Sequence, residues 1–263
     1  KGVAFAADGG ALTRQKVVLE YSSPNTNKPL HLGHVRNNLL GMGISNILKY
    51  YGHEVVRINL INDRGIHICK TMLAYKLWGE GRTPQSEGIK GDHFVGDLYV
   101  RFDKEFRAEL AEYLAAGNPA VDEEAFFNGP SRLGAQARDL LRRWEAGDEE
   151  VRTLWKTMND WVYAGFGETY GRMGCEFDEV QYESGTYMLG KDLVQRGLAD
   201  GVLVKREDGA VVLPLEKIGL EGEKVLLRAD GTSVYMTQDL GTATARADNF
   251  APDQLMYVVG DEQ

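Results

Sequence analysis

Residues 16–51 read KVVLEYSSPNTNKPLHLGHVRNNLLGMGISNILKYY, and this stretch decides the fold. It opens on an apolar, β-favouring run (Val17, Val18, Leu19, Tyr21) and breaks at Ser22-Ser23-Pro24-Asn25. From His34 onward, apolar residues recur at Val35, Leu39, Leu40, Ile44, Ile47, Leu48 and Tyr51, the spacing of one helix face. Strand, polar loop and helix are expected in that order. The loop carries Asn25, Lys28, His31, Gly33 and His34, with Glu20 just before it, which is more chemistry than packing requires. Gly52 then supplies a helix stop, and residues 53–61 read as a second strand. Strand, helix, strand makes a βαβ unit, hence a parallel pair with a crossover connection. Ligands of such sheets sit outside the carboxyl ends of the strands. The loops 22–31 and 62–65 are therefore expected to open on the same edge.

Working outward, residues 66–78 continue as a helix, and 79–96 are glycine-rich and polar, an irregular crossing. Helical spacing dominates from Asp97 to about Gly174, and Asp148-Glu149-Glu150 is placed to cap a helix whose stripe is Val151, Leu154, Trp155, Met158, Trp161 and Val162. That stripe reads as core. Residues 177–184 form a candidate third strand and 187–198 a short helix. The period then drops to two, with short strands at 201–206, 210–214, 224–228 and 232–236 and hairpin signals at Asp208-Gly209 and Asp230-Gly231. A helix over 238–249 and an apolar strand over 254–260 follow. The expected class is α/β: a Rossmann-type, doubly wound parallel sheet with a helical insertion and a small antiparallel β insertion. The segments are 1–14, a linker or truncation edge; 15–80, the first half of the catalytic domain; 81–147, the helical insertion; 148–198, a helix and third strand; 199–230, the β insertion; and 231–263, the start of the second half, truncated.

Composition narrows the function classes. A formal net charge of -9 gives no global attraction for a phosphate backbone, so a simple nucleic-acid-binding domain is disfavoured. No apolar run is long enough for a membrane helix, and the amino terminus lacks a signal pattern. Two distant cysteines, Cys69 and Cys175, exclude a disulfide scaffold and suit a reducing, cytoplasmic setting.

The residues of the loop admit more than one chemistry. A metal site is disfavoured, because His31 and His34 have no third ligand at a familiar spacing. A phosphate site fits better, with free N–H groups and partial positive charge at the helix start, Gly33 for close approach, and Lys28 for a full charge. Imidazole donors there suit in-line displacement at phosphorus. Glu20 reads equally as a solvent-facing strand residue or as a site residue, and Asp239 as a helix cap or as a second carboxylate. Taken with Tyr235, the two carboxylates suit a planar guanidinium.

The stretch from Val18 to Asn37, with its S-S-P-N-x-x-K-P-x-H-x-G-H pattern, closely resembles the start of the catalytic domain of class I arginyl-tRNA synthetases. Residues 230–241 (DGTSVYMTQDLG) and 257–263 (YVVGDEQ) resemble two further blocks of that family. The resemblance implies an ATP-dependent activation of L-arginine to arginyl-adenylate, then transfer to the terminal ribose of tRNA(Arg). It implies that Glu20, Tyr235 and Asp239 hold the guanidinium, that Asn25 and Gln263 hold the α-amino and carboxylate ends, and that His31, Gly33 and His34 form the ATP site. Lys28 resembles a lysine that compensates for a degenerate K-M-S-K-S loop. ATP with Mg2+ is the implied nucleotide and no structural metal is expected. The family's K-M-S-K-S loop and anticodon-binding domain would lie beyond Gln263, so tRNA is expected to be bound mainly outside this chain, by a monomer. The chain alone is expected to bind ATP or arginine without aminoacylating. The competing readings are another H-x-G-H nucleotidyltransferase and a non-catalytic synthetase-like module.

Overall fold

The computed structural model describes residues 13–229, 231 and 234–260, without the side chains of Lys191 and Tyr235. The chain divides into two compact units, one of residues 1–22, 40–60 and 177–263, the other of residues 23–39 and 61–176.

The first unit is built on a four-stranded sheet. Its strands are β1 (Lys16–Glu20), β2 (Glu54–Ile61), β3 (Glu179–Tyr182) and a late strand, Gln254–Tyr257, in the order β3, β2, β1, late strand. β1 pairs in parallel with both neighbours, Glu20 lying opposite Ile58 on one side and Tyr257 on the other. Val17, Val18 and Leu19 are buried, as a central parallel strand covered on both faces requires. The chain leaves β1 toward β2 on one side and reaches the late strand on the other, so the carboxyl end of β1 is the topological switch point. A separate antiparallel sheet joins β4 (Val204–Lys205), β5 (Val211–Pro214) and β6 (Glu223–Leu227). Its core of Val194, Leu203, Val211 and Leu226 excludes water by apolar burial. This is the α/β architecture with an antiparallel insertion that the sequence implies.

The second unit is helical. α1 (Leu32–Tyr50) begins in it and ends in the first unit. α2 (Ile66–Trp78), α3 (Pro84–Glu87), α4 (Gly91–Ala115), α5 (Glu123–Asn128), α6 (Arg132–Glu145) and α7 (Glu149–Met173) follow. Asp122, Ser131 and Asp148 cap three of these starts, accepting from the amides of Ala125, Gly134 and Val151 at 2.7, 2.9 and 3.1 Å. Phe94, Phe102, Phe106, Phe126, Met158 and Phe166 form the buried aromatic and aliphatic interior.

Several sequence expectations are corrected. Residues 79–96 are not an irregular crossing throughout, because a Thr83–Ser86 capping box starts α3 and α4 begins at Gly91. The third strand stops at Tyr182, and a short helix, α8 (Glu183–Thr186), replaces its end. After α9 (Leu189–Ala199), β4 is only two residues long. The strand expected at 232–236 gives way to α10, which runs from Tyr235 to Phe250; residues 232 and 233 lie outside the described set. The late strand, now β7, ends at Tyr257 rather than 260.

Candidate active site

Two polar constellations carry the site residues, one in each unit. In the helical unit, the loop after β1 is pinned to the chain just after β2. The Thr26 amide donates to the Asn62 carbonyl at 3.0 Å, the Asn62 amide to the Pro24 carbonyl at 2.9 Å, and Asn25 bridges Asn62 in parallel. The two loops expected to share one edge do so. Ser22 and Ser23, where the strand ends, have positive φ of 82° and 45°, conformations that L-residues hold only when the surroundings enforce them. His31 then stands immediately before α1. Its Nδ1 accepts the Gly33 amide at 3.1 Å, while its own amide donates to His34 Nδ1 at 3.2 Å. The rings lie 4.0 Å apart between centroids.

These bonds fix which nitrogen of each ring is the donor. A ring nitrogen that accepts an N–H cannot carry the proton, so each neutral imidazole bears it on Nε2. Burial, then the charges of His31 and Lys28, lower the His34 pKa from 6.5 to about 4, so His34 is neutral at physiological pH. It offers one N–H and no charge. Gly33 has a different reason from the one expected: a Cβ there would stand 2.9 Å from His31 Cε1, so the glycine makes room for the ring. One of the helix amides is consequently spent on His31.

In the sheet unit, Glu20 is buried at the carboxyl end of β1 and forms an ion pair with Arg246, whose side chain is 1% exposed. Arg246 Nε also donates to Gln181 Oε1 at 3.0 Å, and its guanidinium lies over the Tyr257 ring, 5.6 Å from the centroid. Asp239 sits seven residues earlier on α10, two turns away on the same face. It keeps part of its surface in solvent, yet burial pushes its carboxyl above the usual range; the Glu20 charge adds to that rise and Arg246 opposes it. Residues 219 positions apart in sequence thus share one electrostatic environment. Asp239 lies inside the helix, so the capping alternative is removed: the helix starts four residues earlier.

The matching family model, tRNA synthetases class I (R), catalytic domain, covers residues 6–263. The chain belongs to that family. It is similar to the arginine–tRNA ligase of Porphyromonas gingivalis, 58% identical over 94% of this chain and 40% of that one. The same ligase of Bacteroides thetaiotaomicron is 57% identical over 95% and 41%. The chain therefore spans about two fifths of the length of these curated relatives. Among solved structures, the Thermus thermophilus arginyl-tRNA synthetase is similar with a TM-score of 0.63 at 27% identity, covering 92% of this chain and 38% of that one. The Plasmodium falciparum arginyl-tRNA synthetase gives a TM-score of 0.71 at 16% identity over 95% and 38%, a likeness of fold.

Within this class I synthetase domain, His31, Gly33, His34 and Lys28 lie close together in the helical unit, to which Asn25 also belongs, and Glu20 and Asp239 share a place in the sheet unit. The Tyr235 side chain and Gln263 lie outside the described residues. Sequence reasoning missed Arg246, which sits in a polar helix segment, ATARAD, and reads there as surface. Both cysteines are buried, and burial raises the Cys69 thiol to about 12, which makes it inert. No helix among the described residues is long and apolar enough to cross a membrane.

Proposed function

We propose that this domain activates L-arginine with ATP and, within an arginine–tRNA ligase, passes it to the terminal ribose of tRNA(Arg). The observation that carries this reading is the shared environment of Glu20 and Asp239, a two-carboxylate arrangement that matches the forked donors of a guanidinium. The family resemblance gives Tyr235 a part in holding the guanidinium, and Asn25 and Gln263 the α-amino and carboxylate ends. The carboxylate of arginine attacks the α-phosphorus of ATP, and the bond to pyrophosphate breaks. Negative charge builds on the phosphoryl oxygens during this step, and the Nε2–H donors of His31 and of neutral His34, with the Lys28 side chain, are suited to stabilise it. Among the described residues no group of three or more His, Cys, Asp or Glu could hold a metal. Mg2+ would come with the nucleotide, held by phosphate and water, as this ion commonly is.

The test is exchange of pyrophosphate into ATP by the full-length protein with tRNA(Arg) present. Exchange should require arginine, and His34→Ala should lower it about a hundredfold or more while tRNA binding stays near the parent's. Exchange that survives His34→Ala removes the role given to His34. Stabilisation by glutamate or cysteine in place of arginine, in a thermal-shift screen with ATP, would reject the substrate.

A further inference from the structure

Arg246 is the largest side chain among the fully buried ones, and burying a guanidinium is costly unless it is paired. Its pairing is one-sided. Nη1 meets Glu20 and Nε meets Gln181, while Nη2, also buried, has no hydrogen-bond acceptor among the described residues. An apolar residue of similar volume would generally stabilise a core as well as a buried ion pair does, so packing alone is a poor reason for an arginine here. The position of its partner suggests another. Glu20 stands at the switch point of the sheet, where this class of fold takes its ligand, and Asp239 projects from the same helix face as Arg246.

Two carboxylates in one partly desolvated place cannot both stay ionised cheaply; one tends to take up a proton. A single internal cation changes that balance. Glu20, Asp239 and Arg246 together carry one net negative charge, which a single monovalent cationic side chain neutralises. A protonated carboxyl, by contrast, is a donor and could satisfy the oxygen of a ureido group. We propose that Arg246 is a positioning residue that holds the Glu20 carboxylate in one orientation, so that Glu20 and Asp239 accept a guanidinium and refuse its neutral ureido isostere. The inference rests on the arginine-activating reading given above.

The experiment measures KM for arginine and for ATP, and inhibition by citrulline as the ureido probe, in tRNA-dependent pyrophosphate exchange by the full-length protein. R246Q should raise KM for arginine at least about tenfold, since truncating one member of a buried charge pair strands the other. KM for ATP should stay within about twofold, and citrulline should inhibit more strongly relative to arginine. R246K keeps the charge but cannot reproduce the planar fork, so its KM for arginine should fall between the two, with ATP again unaffected. An equal loss for arginine and ATP, or no loss for arginine, in either folded variant overturns the proposal. If R246Q does not fold, R246K decides by the same criteria. A parent protein without arginine-dependent exchange would instead overturn the functional reading, so the two failures are distinct.

Discussion

The histidine constellation of the helical unit and the carboxylate constellation of the sheet unit solve the problem of placing charge in opposite ways. His31 and His34 are local: three residues apart and held by backbone amides of their own turn, His31 exposed and His34 half-buried and neutral. Glu20 is distant in sequence from Asp239 and Arg246, and Glu20 and Arg246 are buried and paired. A local arrangement can be altered with less effect on folding. Altering a buried ion pair costs more, because removing one member leaves the other without compensation.

The sharpest way to break this contrast is Glu20→Ala. The variant strands a buried guanidinium, and the chain should lose about 3 to 5 kcal/mol of stability. Urea unfolding followed by circular dichroism measures it, and a loss no larger than that of a surface substitution would place both constellations in one class. Next in size is the pH response of His34. Its folded pKa of about 4 lies below the ordinary 6.5, so the unfolded state binds more protons between those values. The stability this group contributes is complete above about pH 6.5 and is lost as pH falls toward 4. NMR titration should show a neutral ring down to about pH 4, and His34→Ala should flatten the stability slope in that window. A ring that titrates near 6.5 would end the neutral-donor argument. The smallest effect belongs to Gly33→Ala. Glycine inside a helix is worse than alanine by roughly 0.5 to 1 kcal/mol, and the exposed His31 ring can yield to the new methyl group. Stability should hold or rise while nucleotide turnover falls; a drop in both would mean that the local motif is coupled to the core after all.

The local constellation was legible in the sequence because its spacing is its geometry. β1, the polar loop, α1 and β2 follow directly from residue pattern, and Asp148 caps its helix as its position suggests. The other half was only partly legible. Glu20 and Asp239 could be singled out through a family resemblance, but Arg246 could not, since only the packing of α10 beside the sheet turns a polar-looking residue into a buried one. Two errors of secondary structure have the same origin. Gly91 and Gly96 look like breakers, yet a Cβ at Gly91 would stand 2.0 Å from the Trp161 carbonyl oxygen: the glycine lets α4 lie against α7. Thr237 directly follows the run expected as a strand over 232–236, yet its hydroxyl bonds the Leu226 carbonyl and receives the Val234 amide, tying the start of a helix to β6. Tertiary contacts override local preference at both places.

One grip on the loop after β2 has a consequence for how such a domain can be cut or grafted. Trp155 and Asn159 of α7 donate to the Asp63 carbonyl at 2.6 and 3.2 Å, and the Tyr163 hydroxyl donates to the Asp63 carboxylate at 2.9 Å. Those three residues recur every four positions, one stripe of a 25-residue helix closing on a single aspartate. Asp63 adjoins Asn62, which holds Asn25 and Thr26 in turn. α7 is therefore a splint: the stripe from Trp155 to Tyr163 sets the shape of a loop that precedes it by some ninety residues.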